Sequence, residues 1–521
     1  MVAKKSTDKP IAGKGQNRFN LLDEKWIPVT GKGLVSLWDV FHNLSLKSLG
    51  GNPLQKIALL KLLLAICQAS CTPKDDDEWA ALKPKGLAKM VLEYLEKRRD
   101  DFWLYGKKPF LQIPAIAKAA KQPYGAVLPD VATGNTTVFT QSQKERPLSD
   151  AEKALLVVQL MGFALGGKKT DNSVVLSPGY QGKFNDKGKP STGKPGPSLG
   201  FLGYLHSFLT GKTIMETLWL NIITKEALER QQEYSKKLGP TPWETPPKGE
   251  ADSTAEKLKY SLMGRLIPFS RFLLLAEDGI HYSEGISHLD YQGGMSDPSV
   301  AIDKSGKTIK TLWADTSKRP WRNLTALLGF LQANESYLDC PYLRLGFSRG
   351  IRHTSSIGIW SGGLRVSGNA GEQYVSGTDD YVESETFMES ALVKKYFFIY
   401  LKQEMTTLDE MSKILYGRVA TYCKELKAEG KSIAEKATEL FWKLCEGKFQ
   451  DLVTACQIEN QAECKKEMEK LRIFFIRYVW DAYEFYCPQF TARQREVWAG
   501  QCPNLGRFVP KKDDAAEAVN Q

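Results

Sequence analysis

The stretch AECKKEMEKLRIFFIRYVWDAYEFYC, residues 462–487, has the clearest structural pattern in the C-terminal part of the chain. Apolar side chains recur in it at intervals of three and four residues, as at Leu471, Phe474, Tyr478 and Phe485. That spacing places them along one side of an α-helix, and no proline or glycine interrupts the segment. The stretch therefore predicts a long amphipathic helix, and aromatic runs such as Tyr396-Phe397-Phe398 in the same part of the chain are interpreted as bundle core and not as a cofactor site.

Three neighbouring segments share this pattern, with few helix breakers up to residue 502. The four predicted helices are Leu392–Leu426, Ser432–Cys456, Ala462–Cys487 and Thr491–Ala499. Consecutive helices with short connections favour antiparallel packing. We therefore predict an all-α four-helix bundle at residues 388–505, followed by a flexible tail at residues 506–521.

The longer N-terminal part also contains helical signals. Residues 53–70 form an apolar helical pattern, and the acids of Asp75–Glu78 suit the first turn of a further helix. Ser149 and Glu152 have the spacing of a capping box before another apolar run. Residues 201–226 follow a helical pattern as well, so several helices are expected in this part of the chain.

Strand and loop signals alternate with these helices. Residues 260–385 switch between short apolar runs and turns, which is typical of a mixed sheet. Prolines and polar residues mark a long irregular segment at residues 105–147. The fold class predicted for the whole chain is therefore α+β. Residues 1–17 form a flexible basic tail, and residues 18–387 form a large mixed α/β domain with long loops.

Composition limits the classes of protein and partner. The chain has 521 residues, enough for two to four domains, and a net charge of +11 that favours a polyanionic partner. Nine cysteines without a C-x-x-C pair, and no N-terminal apolar signal segment, predict reduced thiols in a cytoplasmic protein. The strongest apolar run, Ile57–Cys67, is broken by Lys61 and is too short to span a bilayer, so no membrane partner is expected.

A loop rich in glycine and lysine, residues 166–197, carries the most informative nucleic-acid signal. It contains six lysines, two aspartates, seven glycines and four prolines. Glycines allow a backbone to approach a polyanion closely, and lysines neutralise phosphates. The candidate phosphate contacts here are Lys168, Lys169, Lys187 and Lys189. A solvated surface loop is the alternative that composition leaves open.

Two later segments extend this signal. Arg344–His353 interleaves glycines and an aromatic ring with arginines. Arg349 and Arg352 are candidate phosphate contacts, because a guanidinium pairs with phosphate oxygens in a bidentate manner. The alternative is a set of surface arginines at a sheet edge. Gly362–Gly371 has the pattern of a glycine-bounded β-hairpin with small polar groups at its tip.

Enzymatic motifs are incomplete in this sequence. Gly162–Lys168 has glycines and a lysine near P-loop spacing, but Lys169 replaces the Ser or Thr that holds magnesium. The five histidines form no H-E-x-x-H motif, and the G-x-S-x-G match at Gly196–Gly200 has no preceding strand. The acidic patch Asp379–Glu385 is interpreted as a turn and the N-terminal cap of the first bundle helix. We therefore predict no catalytic residue, no metal site and no cofactor.

The whole pattern resembles the large subunit of the type I-E CRISPR Cascade surveillance complex, the CasA family. The resemblance runs from Phe19 to Cys502 and includes the opening Asn20-Leu21-Leu22 and Trp26-Ile27-Pro28-Val29, the order of loops and helices, and the C-terminal bundle. It implies a non-catalytic protein that recognises a short protospacer-adjacent motif in double-stranded DNA, helps to open the duplex for guide RNA pairing, and licenses an effector nuclease. The implied partners are the CRISPR guide RNA, target DNA, the guide-handle-binding, backbone and small subunits of Cascade, and an effector nuclease or helicase-nuclease.

The resemblance also assigns roles to residues. Phe139 and Gln141 match the family's loop that engages the guide handle and the motif region. The family's glycine loop, which contacts the motif through its backbone, is matched by Gly179, Tyr180, Gln181, Gly182 and Lys183. In this chain Gln181 interrupts the glycine run, which puts the motif preference in doubt. Lys248 is the nearest match to a family lysine that precedes a strand, and Asn369 and Ala370 match the tip of the family's wedge hairpin.

Two other functions stay open at this point. One is a metal-dependent nuclease that uses Asp379, Asp380 and Glu383 with His353, which magnesium-dependent cleavage by the isolated chain would reveal. The other is a purely structural assembly subunit, which motif-dependent duplex binding would exclude. The DNA-reading function is physically coherent, because the minor groove distinguishes mainly A·T from G·C and guide RNA pairing supplies the remaining specificity.

Overall fold

The structure is a computed structural model that describes residues 16–128, 147–164, 203–249, 252–289, 296–332, 337–365, 381–393 and 396–509. The chain divides into two compact units. The first comprises Met1–Thr316, Cys340–Gly346 and Gly362–Val382, and the second comprises Ser317–Asp339, Phe347–Ser361 and Glu383–Gln521. The second unit thus takes in two segments that lie before residue 388, where the sequence predicts the start of the bundle.

Eight helices are described in the first unit. They are α1 (Leu37–His42), α2 (Pro53–Ser70), α3 (Asp76–Lys97), α4 (Asp150–Gly162), α5 (Ile214–Asn221), α6 (Lys225–Arg230), α7 (Ser253–Lys259) and α8 (Met263–Leu266). The short helix α9 (Leu324–Leu327) belongs to the second unit, and α10 (Pro341–His353) crosses the division.

The strands are short and form several small sheets. They are β1 (Arg18–Asn20), β2 (Ile27–Val29), β3 (Gly33–Val35), β4 (Trp103–Tyr105), β5 (Lys121–Gln122), β6 (His206–Thr210), β7 (Arg271–Leu275), β8 (Ile280–Glu284), β9 (Ile302–Asp303), β10 (Lys310–Thr311), β11 (Ser356–Leu364) and β12 (Tyr381–Glu389). The two-stranded pairs are β1 with β4, β2 with β3 and β9 with β10, and the three-stranded sheets have the orders β5-β8-β7 and β12-β11-β6. Small sheets beside many helices confirm the predicted α+β class.

Helix α2 is the central core helix of the first unit. Asn52 caps it, Gln55 completes the capping box, and Pro53 occupies the first turn, where its missing N–H is no loss. Within the described residues α2 is the one helix long and apolar enough to cross a membrane, and 78% of it is buried inside the protein. Its hydrophobic surface is therefore used for packing.

The sequence predicts several of these elements correctly. Asp75 caps α3, and Ser149 and Glu152 form the predicted capping box at the start of α4. The prediction of helix throughout residues 201–226 is wrong, because the strand β6 precedes α5 in that range. An apolar run that is buried on all sides has no periodicity that separates strand from helix.

Four helices end the chain, as predicted. They are α11 (Phe397–Glu425), α12 (Lys431–Cys456), α13 (Gln461–Tyr486) and α14 (Ala492–Gly500). The three long helices supply the buried residues, whereas α14 has none. Glu404 on α11 is buried and is held by an ion pair with Arg472 on α13. All nine cysteines are described, and none forms a disulfide.

Candidate nucleic-acid interface

Residues 311–315 form the centre of the candidate site, because the flanks of two predicted DNA-reading segments meet there. Tyr204 pairs with Trp313 in an antiparallel bridge, and the N–H of Ala314 donates to the carbonyl of Gly203 at 2.7 Å. Gly203 is the first described residue after the glycine-rich loop 166–197. The C-terminal flank of that loop is therefore held against residues 311–315.

The N-terminal flank of the same loop lies close by. The ring of Phe163, directly after α4, packs edge-on against His206 of β6 with 5.4 Å between ring centroids. Phe163 and His206 are both buried. Both flanks of the loop therefore attach to one place in the first unit, although the whole loop separates them in the chain.

The wedge candidate is attached at the same centre. Its preceding residue, Arg365, forms an ion pair with Asp315 at 3.0 Å, and the side chain of Val382 on β12 clusters with Leu205 and Ala314. The backbones approach closely at Gly363, because a Cβ atom there would lie 2.6 Å from the carbonyl oxygen of Tyr204. Residues on both sides of the wedge candidate therefore contact the segments that also hold the glycine-rich loop.

A basic hairpin beside this centre is a candidate binding element that sequence reasoning missed. Strands β9 and β10 pair through Asp303 with Lys310 and Ile302 with Thr311, and the connecting residues 304–308 are exposed. Lys304, Lys307 and Lys310 all lie on its exposed part. The signal available in the sequence is three lysines in seven residues around Gly306, a pattern of cationic turn that fits phosphate contact.

A buried polar network links α2 to β6, the strand that follows Tyr204. The Nζ atom of Lys61 forms an ion pair with Asp297, Ser299 donates its hydroxyl to Asp297 at 2.7 Å, and Ser299 Oγ lies 2.8 Å from Nδ1 of His206. Burial favours the neutral acid, but the Lys61 ammonium and the hydrogen bonds hold the pKa of Asp297 below its ordinary value. Burial and the Lys61 charge lower the pKa of His206 to about 3, so the imidazole is neutral. This network ties α2 to β6.

Three of the predicted binding residues lie in the described part of the chain, namely Lys248, Arg349 and Arg352. Lys248 is exposed, and its N–H donates to Asp252 at 2.6 Å. The next regular element after it is the helix α7 and not a strand, so the context expected from the resemblance is not found. The DNA-binding role of Lys248 stays a prediction.

The two arginine predictions differ in outcome. Both residues lie on the helix α10, not at a sheet edge. Arg352 is exposed and stays a candidate phosphate contact, whereas Arg349 is only 3% exposed. The phosphate role for Arg349 is therefore wrong for this structure, because the apolar face of an amphipathic helix carries its guanidinium inside.

The remaining predicted residues lie outside the described residues. They are Phe139, Gln141, Lys168, Lys169, Gly179, Tyr180, Gln181, Gly182, Lys183, Lys187, Lys189, Asn369 and Ala370. Their roles stay predictions that rest on the sequence.

The acidic patch considered for metal binding lies partly in a strand. Asp379 and Asp380 are outside the described residues, and Glu383 lies on β12, where its carboxylate accepts a hydrogen bond from Nε1 of Trp360 at 3.1 Å. The expectation that this patch caps the first bundle helix is wrong, because β12 continues to Glu389. In the described part of the chain, no group of three or more His, Cys, Asp or Glu side chains is arranged to hold a metal ion.

Comparison with known proteins identifies similar sequences. Residues 20–482 match the model of the family described as CRISPR-associated protein Cse1. The CRISPR-associated protein CasA/Cse1 of Thermus thermophilus is 27% identical over 343 residues, which is 60% of each chain, so the match spans less than two thirds of that relative.

Solved structures share the fold over almost the whole chain. The crystal structure of CasA from Thermus thermophilus has a TM-score of 0.70 at 21% identity, covering 94% of this chain and 99% of that one. A chain of a CRISPR RNA-guided surveillance complex has a TM-score of 0.64 at 15% identity, covering 93% and 98%. The match over residues 20–482 includes β6, the hairpin β9–β10 and the strands β11 and β12. The chain therefore belongs to the CRISPR-associated Cse1 family.

Proposed function

We propose that this protein is the large subunit of a type I-E Cascade complex and recognises the protospacer-adjacent motif in double-stranded DNA. In that role it helps to open the duplex for guide RNA pairing and licenses an effector nuclease or helicase-nuclease, without catalysing a reaction itself. Its partners would be the guide RNA, target DNA and the other Cascade subunits, in the cytoplasm. Family membership supports the assignment, as does the likeness to a chain of an RNA-guided surveillance complex.

One observation carries the proposal. The flanks of the glycine-rich loop and of the wedge candidate are fastened to residues 311–315 through the Ala314–Gly203 hydrogen bond and the Asp315–Arg365 ion pair. A protein that reads a motif and opens the adjacent base pair needs its reading and wedging segments at neighbouring positions on a rigid support. The buried Lys61–Asp297 pair joins α2 to that support.

The charges at the site fit the same function. The loop 166–197 contributes a net charge of +4, from six lysines and two aspartates, and the hairpin β9–β10 adds Lys304, Lys307 and Lys310. Contacts to phosphates position a protein on DNA without reading its sequence. Glycine backbone and amide groups then suffice to read the degenerate pattern of the minor groove.

The experiment compares assembled complexes with and without this chain. Duplexes that carry or lack a short motif beside the guide-matched sequence are tested for binding and opening. The complex with the chain should prefer one short motif, and the complex without it should show no preference. If both complexes bind all duplexes alike, the protein does not read a motif.

A charge-matched pair of variants tests the phosphate contacts. The triple replacement of Lys304, Lys307 and Lys310 by alanine should weaken binding to all duplexes by the same factor. It should also lower the slope of log affinity against log salt by about one unit for each phosphate that is no longer neutralised. The control replaces three exposed lysines of α3 by alanine, namely Lys85, Lys89 and Lys97. Equal effects of the two variants would show that only net charge matters.

A further inference from the structure

Trp313 is an exposed aromatic residue at the centre where the flanks of the two DNA-reading segments meet. Its side chain is 38% exposed, whereas Ala314 beside it in the chain is buried. Ala314 packs in a cluster with Leu205 and Val382, and Leu312 packs against that cluster. Because side chains alternate along an extended chain, Trp313 points to the opposite face, together with Asp315.

The ring of Trp313 has a firm support. Tyr204 lies directly opposite in the antiparallel bridge, with 4.6 Å between ring centroids and 49° between ring planes. Tyr204 itself is only 3% exposed and packs with Val300 and Ile302. The indole therefore has a buried aromatic ring beside it, and about a third of its surface reaches solvent.

Positive charges lie on the segments next to Trp313. Arg365 is held by Asp315, two residues from Trp313 and on the same face, and its side chain is 32% exposed. Lys310 lies three residues earlier on β10, and the exposed hairpin carries two more lysines. An aromatic ring among cations is the arrangement with which proteins hold single-stranded nucleic acids, because every base has a face that can stack.

We propose that Trp313 stacks on an unpaired nucleobase of the target DNA, at the junction where the duplex is opened beside the motif. The proposal rests on the proposed function and adds to it a binding site for one base. The base is held by its ring face, so the site accepts any of the four bases. Arg365 binds a phosphate next to that nucleotide.

The test combines protein variants with altered DNA in the assembled complex. Trp313→Ala should weaken binding to a motif-bearing target that has a pre-opened bubble by about 5- to 150-fold, the loss typical of one stacked base. Trp313→Tyr should restore most of the affinity, because a phenol ring still stacks. Tyr337→Ala is the matched control, since Tyr337 is also 38% exposed and lies in the second unit.

A series of abasic sites beside the motif then locates the base. With the original protein, one abasic position should cause the same loss as Trp313→Ala, and at that position Trp313→Ala should cause no further loss. The inference is overturned if the two losses multiply at every position, or if Trp313→Ala binds bubble targets like the original protein. If the original complex shows no motif preference at all, it is the proposed function that has failed.

Unfolding temperatures separate stacking from a folding defect. Trp313→Tyr should unfold near the temperature of the original protein and bind bubble targets nearly as well. A structural role alone would lower affinity for duplexes with and without the motif equally in Trp313→Ala, and that result also overturns the inference.

Discussion

Replacing Gly363 by alanine tests whether β11 packs against residues 203–205 as closely as the structure indicates. A Cβ atom at residue 363 would lie 2.6 Å from the carbonyl oxygen of Tyr204 and 3.2 Å from Cβ of Ala314. Carbon and carbonyl oxygen atoms in weak contact lie about 3.3–3.6 Å apart. The two backbones must therefore separate by about 0.7 Å to admit the methyl group.

Separating the two backbones costs free energy, because neither Gly363 nor Tyr204 can move freely. The carbonyl of Tyr204 is backbone, and the adjoining Gly203 is held by the 2.7 Å hydrogen bond from Ala314. Overpacking of this kind costs about 1–3 kcal/mol. The unfolding entropy is about 2.1 cal/mol/K per residue, so for a unit of this size each kcal/mol lowers the unfolding temperature by about 1.4 °C. Gly363→Ala should therefore unfold about 1–4 °C below the original protein.

Calorimetry on the purified chain measures the unfolding temperature of Gly363→Ala, with Gly306→Ala as the matched control. The nearest atom to a Cβ at residue 306 is the carbonyl oxygen of Thr308 at 3.7 Å, so the control should stay within about 0.5 kcal/mol of the original protein. In the assembled complex, Gly363→Ala should also reduce the preference for motif-bearing duplexes, because it moves the flanks of both segments. An unfolding temperature equal to that of Gly306→Ala would refute the close contact. A destabilised variant with full motif preference would refute the coupling between packing and motif reading.

Two further predictions concern the buried charges of the first unit. Burial, with the charges of Lys61 and Arg265, lowers the pKa values of His206 and His288 to about 3, whereas an unfolded histidine titrates near 6.5. The unfolded chain therefore takes up protons that the folded chain does not. As the pH falls from about 6.5 to 3, the free energy of unfolding should decrease by up to about 1.4 kcal/mol per pH unit for each histidine. Urea unfolding at several pH values will measure this slope, and His288→Gln should reduce it. Lys61→Met should lower the free energy of unfolding in urea by about 3–5 kcal/mol, because it leaves the carboxylate of Asp297 buried without its cation. Adding Asp297→Leu should recover part of that loss. Equal stability of the original protein and the two variants would show that the pair is absent.

The C-terminal helices can be predicted from the sequence because their signals are long, periodic and local. The pattern predicts Ser432–Cys456, and Lys431–Cys456 is observed. The first helix begins at Phe397 and not at Leu392, because a single 3-10 turn at Ser390–Leu392 comes before it. A segment of 20 or more residues with a repeated apolar face is compatible with a helix and with few other structures.

The candidate site can be predicted only in part, because its contacts join residues that are far apart in the chain. Asp315 and Arg365 are 50 positions apart, and no local pattern reports that they pair. The burial of Arg349 cannot be read from the sequence for a related reason. A run of arginines and glycines is compatible with an exposed loop or with a helix, and only the packing around α10 decides which arginine faces inward.

A wedge also needs a support that does not yield when it separates two bases. Unstacking a base step costs a few kcal/mol, and an isolated two-stranded hairpin is itself only marginally stable. In this protein β11 has a hydrogen-bonded neighbour on each side, β12 and β6, and its residues from Ile357 to Leu364 are buried. The strand β12 alternates buried and exposed residues, as expected for a sheet edge that faces solvent on one side. Under the proposed function Asn369–Ala370 is the wedge tip, and the force on it would be carried by the three-stranded sheet to which β11 and β12 belong.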